Sequence, residues 1–171
     1  MNSKATDPET TAPQPTSAKK TWREKLAAQK NLPQVKTIPE AMRARRGEGT
    51  IVIPSPGEVE DAIRSVPPRQ LVTIEQISRG VADHHGATIG CTVTTGIFAW
   101  MVASAAHEDE LAGRATITPY WRALKAGGEL NPKYPGGIQN LMNRLEAEGH
   151  VVVQRGKRYF VEDHERKLVS R

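Results

Sequence analysis

Between Pro56 and Glu148 apolar residues recur at helical spacing in four stretches, flanked by stretches where the pattern alternates. Val59, Ala62, Ile63 and Val66 predict a helix from Pro56 to about Val66, capped by Ser55 and stopped by Pro67-Pro68. Ile74, Ile77, Val81 and Ala82 predict a second, from Ile74 to about His84, with Thr73 as its cap and Gly86 as its break. A third helix is expected to start near Thr94-Thr95 and end about Leu111. Its middle, GIFAWMVASAA, is apolar on nearly every side, which predicts burial of most of it. Leu141, Met142 and Leu145 place a fourth helix over Ile138–Glu148, ended by Gly149.

Alternation appears at both ends. GTIVIPSP, from Gly49, reads as one short strand that Pro54 ends. HVVVQRGKRYFVED turns at Arg155-Gly156 and predicts a two-stranded hairpin. Further upstream, Thr21 with Glu24 three residues on predicts a short helix over Thr21–Gln29, with Trp22 available to pin it to the body. The expected fold class is therefore mainly α with small β additions. Two helices joined by a short turn, a loop able to act as a wing, and a closing hairpin predict a winged helix-turn-helix.

Composition divides the chain further. Of the 171 residues, 25% are charged and 5% aromatic, and the formal net charge is +5. Residues 19–46 hold nine basic and two acidic side chains, whereas residues 47–171 come to about −1. The expected organisation is a disordered tail over 1–18, a basic N-terminal arm over 19–48, a folded domain over 49–165 and a C-terminal tail over 166–171. No apolar run approaches the roughly 18 residues that span a bilayer, and MNSKATDPETTAPQPTSAKK carries no apolar signal core, so secretion is not expected. Cys91 is the lone cysteine, which excludes an internal disulfide and suits a reducing, cytoplasmic setting.

The candidate chemistry lies in the long loop ITPYWRALKAGGELNPKYPGG, Ile117 to Gly137. It places Tyr120, Trp121 and Arg122 after a proline. The rings either line a pocket or pack inward and brace the wing. His84, His85, Cys91 and His107 match no familiar zinc spacing, so no metal and no cofactor are expected.

Five fragments then appear in order within residues 56–150: VPPRQLVTIEQIS, TTGIFAW, TPYWRALKAGGEL, KYPGG and LEAEG. Together they resemble the DNA-binding domain of the O6-alkylguanine-DNA alkyltransferases, and most closely their non-enzymatic alkyltransferase-like relatives. The repair enzymes carry Pro-Cys-His-Arg in the third fragment; here Pro119 and Arg122 match, Tyr120 stands at the cysteine position and Trp121 at the histidine position. Alkyl transfer needs an activated thiolate, and a phenol without a neighbouring imidazole is a poor replacement. The resemblance thus implies a DNA-binding protein without the suicidal transfer activity.

It further implies a recognition helix in the minor groove and a damaged nucleotide turned out beside the Pro-x-x-Arg loop. Carried over residue by residue, the lesion pocket would comprise Tyr120, Trp121, Arg122, Tyr134, Pro135, Gly136 and Gly137. The DNA contacts would come from Thr73, Thr92, Thr94, Thr95, Gly96, Arg122 and Lys125. Arg122 would hold a phosphate or stabilise the loop, and Glu148, part of the enzymes' active-site network, would be structural. The chain departs from the family at three points: Ile74 replaces a tyrosine, TVTT lacks the intercalating arginine, and Pro135 replaces a hydrogen-bond donor. The expected partner is double-stranded DNA carrying altered bases, bound by a monomer that signals to repair proteins. The second reading is a nucleic-acid or protein interaction module that kept the fold without reading lesions.

Overall fold

A computed structural model describes residues 19–170; the tail expected over 1–18 and the terminal Arg171 lie outside the described residues. The centre of the fold is the third expected helix, α5 (Thr92–Leu111), preceded by α1 (Trp22–Ala27), α2 (Glu40–Arg46), α3 (Pro56–Arg64) and α4 (Ile74–His84) and followed by α6 (Gly137–Ala147). Helices α1, α3 and α4 all pack on α5. Phe98, Ala99, Val102, Ala103, Ala105 and Ala106 of α5 are buried against Val59 and Ile63 of α3, Ile77 of α4 and Leu141 and Leu145 of α6. The larger of these side chains each contribute roughly 1.5–3 kcal/mol by leaving water, and the alanines let the helices approach closely. This explains the nearly uniform apolarity of GIFAWMVASAA.

Local chemistry sets the helix starts. Thr21, Ser55 and Thr73 each close a capping box with Glu24, Glu58 and Gln76 respectively. Helix α5 starts at Thr92, earlier than its threonines suggest. Cys91 is its N-cap without a side-chain cap bond, while Thr95 lies inside and its hydroxyl donates back to the Cys91 carbonyl at 2.9 Å.

Three small sheets complete the fold. In the first, β2 (Thr50–Ile53) pairs antiparallel with β1 (Gln34–Thr37) and parallel with β4 (Ile89–Gly90). The second joins β3 (Val72–Thr73) in parallel to β5 (Ala123–Leu124), which ties the long loop to the start of α4. The third is the expected hairpin, β6 (Val152–Arg155) with β7 (Arg158–Val161). The whole is mainly helical with a winged helix-turn-helix core. No described helix is long and apolar enough to cross a membrane.

Residues 19–48, expected as an arm, carry α1, β1 and α2 and are attached to the body. Trp22 meets Trp100 of α5 edge-on at 4.7 Å between ring centres, and the Trp22 backbone N–H donates to Glu108 at 2.8 Å. Arg23 bridges Glu60 of α3 and the buried Asp109 of α5 at 2.8 and 2.6 Å. At the other end, residues 166–170 run beside Leu71: its N–H donates to the Lys167 carbonyl at 2.8 Å, and its carbonyl accepts from Val169 at 2.9 Å.

Gly90 is the tightest junction of sheet and helix. A Cβ there would overlap the carbonyl of Ser78 on α4. Gly90→Ala is therefore expected to destabilise the protein by about 2–3 kcal/mol in urea unfolding, because the clash is with backbone that cannot rotate away.

Candidate nucleic-acid interface

The loop after Pro119 is held by a network that starts from its aromatic and basic residues. Tyr120 is fully buried; its ring lies edge-on to Trp121 at 5.5 Å and to Tyr134 at 5.9 Å, and its hydroxyl accepts from Asn140 Nδ2 at 3.0 Å. Tyr134 is buried too, and burial pushes its phenol far above the ordinary tyrosine range. Trp121 donates from its indole to Glu148 at 3.0 Å, while the Arg144 guanidinium lies 4.8 Å from its ring centre. Arg144 in turn bonds Asn140 and pairs with Glu110 at 2.7 Å.

Arg122 anchors the network. Its guanidinium contacts Glu148 through Nε at 3.0 Å and Nη2 at 2.6 Å, and its Nη1 donates to the Val66 carbonyl at 2.6 Å. Burial alone would raise the Glu148 pKa. Hydrogen bonds from Arg122, Trp121 and the Arg69 amide outweigh that and hold it below the usual carboxylate range. Arg122 is 11% exposed and Glu148 15%, so the pair is interior.

These contacts revise the expected lesion pocket. Tyr120 and Tyr134 are sealed, so for Tyr120 the structure has the inward reading, while Trp121 is half-buried and engaged by two arginines and a carboxylate. Arg122 stabilises the loop through Glu148 and the Val66 carbonyl. Pro135 accepts from Asn140 at 2.9 Å, while Gly136 (φ 77°) and Gly137 (φ 65°) supply the left-handed turn into α6. Tyr120 as a stacking platform for a turned-out base is therefore withdrawn. The expected structural role of Glu148 matches its contacts.

A cleft does lie beside this loop, on its outer side. About 480 Å³ in volume, it is lined by Ile74 and Glu75 of α4, by Thr92, Val93, Gly96, Ile97 and Trp100 of α5, and by Lys125, Ala126 and Asn131–Lys133 of the loop. Thr92, Gly96 and Lys125, three of the expected DNA contacts, come together here. The others do not: Thr73 caps α4, Thr95 is buried with its hydroxyl bonded inside the helix, and Thr94 contacts the Cys91 sulfur at 3.2 Å. Val93, Ile97 and Trp100 follow at helical intervals along the cleft wall, and Val93 is 71% exposed and Ile97 49%.

A second depression shares Thr92 and Glu75 with the first and brings in Arg46 from α2 and Arg79 from α4. Exposed cations thus flank the start of α5 on both sides, Arg46 and Arg79 on one and Lys125 and Lys133 on the other. The sequence reading counted Arg46 only as part of the basic segment and did not single out Arg79; nonlocal pairing of β1 with β2 positions α2, and the packing of α4 on α5 brings Arg79 to this face.

No protein-family model matches the sequence, and no curated protein matches it. Two crystal structures of S. pombe proteins are similar. Atl1 in complex with damaged DNA containing O6-carboxymethylguanine shares 17% identity over 68% of this chain and 94% of its own, with a TM-score of 0.48. The S. pombe ATL in complex with DNA shares 18% identity over 68% and 94%, with a TM-score of 0.50. The ordered motifs and the architecture agree: the chain has the fold of the alkyltransferase-like proteins.

Proposed function

We propose that this chain is a non-enzymatic DNA-binding protein that presents the N-terminal half of α5 to the minor groove and receives an altered base in the adjoining cleft. The single observation behind the reading is the convergence of Thr92, Gly96, Lys125 and Lys133 around that cleft, with Arg46 and Arg79 across the helix start. The first turn of α5 offers unpaired backbone N–H groups and the positive end of a helix dipole, which suit a phosphate. Small side chains at Thr92 and Gly96 permit close approach, and the four cations hold the strand on either side.

The exposed pair Val93 and Ile97 takes the place of an intercalating arginine. Apolar side chains of this size act as wedges between base steps in minor-groove binders and lower the cost of taking a base from the stack. The cleft volume falls within the ~300–1,000 Å³ typical of small-molecule sites. Trp100 and Ile74 supply apolar walls, the more useful because Tyr120 has no face to offer. Methyl transfer is not part of the reading: Cys91 lies at the α5 N-cap and Tyr120 is buried without an imidazole beside it. In the cell such a protein would flag altered bases for repair factors.

The wedge is testable by itself. Val93 and Ile97 are exposed, so V93D/I97D is expected to fold with a thermal midpoint within a few degrees of the parent. Two carboxylates facing the phosphates are expected to weaken binding to a short duplex at least ~30-fold in fluorescence anisotropy. An unchanged affinity would mean that this helix face is not the one that meets DNA.

A further inference from the structure

We propose that the junction of α3 and α4 is a zinc-type transition-metal site formed by Glu58, His84 and His85. One carboxylate oxygen and one ring nitrogen from each histidine lie within 4.8 Å of one another. Two neutral imidazoles and a carboxylate form a donor set that suits zinc and its neighbours better than magnesium or calcium.

Each ligand is positioned by its element. Glu58 occupies the third position of α3, where its Oε2 accepts from the Ser55 N–H and Oγ at 2.8 Å each. The carboxylate is thereby oriented with Oε1 toward the Nε2 of His85, with which it is in contact. Holding a ligand carboxylate through its second oxygen is a recurrent way of fixing metal geometry. His84 is the last residue of α4 and His85 its C-cap, and their rings stand at 83° with centres 4.9 Å apart.

The surroundings favour a cation. The C-terminal end of α4 carries the negative pole of its helix dipole. Glu58 and His84 open on a cavity of about 550 Å³ whose wall also carries Asp61 and Asp83, together with Arg79. An ion with bonds of about 2.1 Å needs Glu58 Oε1 and His85 Nε2 to open to about 3.4 Å, which side-chain rotation supplies. A fourth position then faces the cavity, open to water or to a carboxylate. Cys91 and His107, whose spacing to His84 and His85 matches no zinc pattern, lie elsewhere: the Cys91 sulfur contacts Thr94 and His107 lies against Glu110.

Isothermal titration of the untagged full chain with zinc chloride, in excess magnesium, tests the site. One ion per chain is expected, at a Kd of about 10 µM or tighter. E58Q keeps the cap, since a carboxamide oxygen still accepts from Ser55, yet loses the charge. It and H84N/H85N are each expected to weaken binding at least ~10-fold, with circular dichroism unchanged, while C91S and H107N bind as the parent does. No stoichiometric uptake at about 100 µM zinc, or uptake equally tight in E58Q and H84N/H85N, would overturn the assignment.

Discussion

Replacing Arg46, Arg79, Lys125 and Lys133 by alanine is expected to lower duplex affinity about 100-fold or more at moderate salt. It should also flatten the dependence of log K on log salt by about 3–4 units, since each phosphate contact contributes close to one. All four side chains are exposed; Lys125 pairs at 2.9 Å with the buried Glu129, and Arg158 remains as a second partner of that carboxylate at 3.2 Å. The variant should therefore fold, and anisotropy over a salt series reads the binding effect directly. Lys19, Lys20 and Lys30 provide the contrast. Helix α1 is fixed to the C-terminal half of α5, through Glu108 and Asp109 and through Trp22 on Trp100, and lines neither depression at the helix start. Alanine at those lysines is expected to cost a few-fold at most. If it reproduces the full loss, binding belongs to the basic segment as a whole, and the second reading, an interaction module without lesion preference, takes over.

The second large effect lies in the interior. Arg122→Ala strands Glu148 with the Trp121 indole and the Arg69 amide as its remaining donors. A mostly buried carboxylate that loses its counter-ion is expected to cost about 2–3 kcal/mol in urea unfolding, while R122A/E148Q should recover part of it by removing the stranded charge. The pH dependence has a defined sign. The folded-state pKa of Glu148 is depressed, so its contribution is present above the ordinary glutamate pKa, about 4.3, and is lost as pH falls through the lower folded value. E148Q is expected to show a shallower loss of stability on acidification than the parent. Glu58 and Glu110 keep their own share of that slope: burial opposes ionisation at Glu58, where Ser55 and His85 prevail, and Arg144 holds Glu110 down.

Why the sequence disclosed some of this and not the rest follows from where each feature takes its energy. Helices α3, α4 and α6 are legible because their apolar stripes and caps are local: Ser55 with Glu58 and Thr73 with Gln76 lie three residues apart. Strand β1 and helix α2 are not. Val35 is 48% exposed and α2 buries no side chain, so neither shows a periodic pattern; β1 exists through backbone pairing with β2. The loop chemistry divides in the same way. That Tyr120, Trp121 and Arg122 form one constellation was readable from their adjacency. That they turn inward was not, because the decision rests with Asn140, Arg144 and Glu148, all at least 20 residues away. The cleft draws Thr92 and Gly96 from one helix and Lys125 from the loop, and only the packing of α4 on α5 decides that they face the same space.

The central claim is recognition of DNA, with preference for an altered base, by the start of α5 and its cleft. Fluorescence anisotropy of the full chain with two matched duplexes, one carrying a single O6-methylguanine, tests it most directly. The expected result is salt-sensitive binding of both, at least ~5-fold tighter for the altered duplex and abolished in V93D/I97D. Equal and feeble binding of both duplexes at low salt would contradict it.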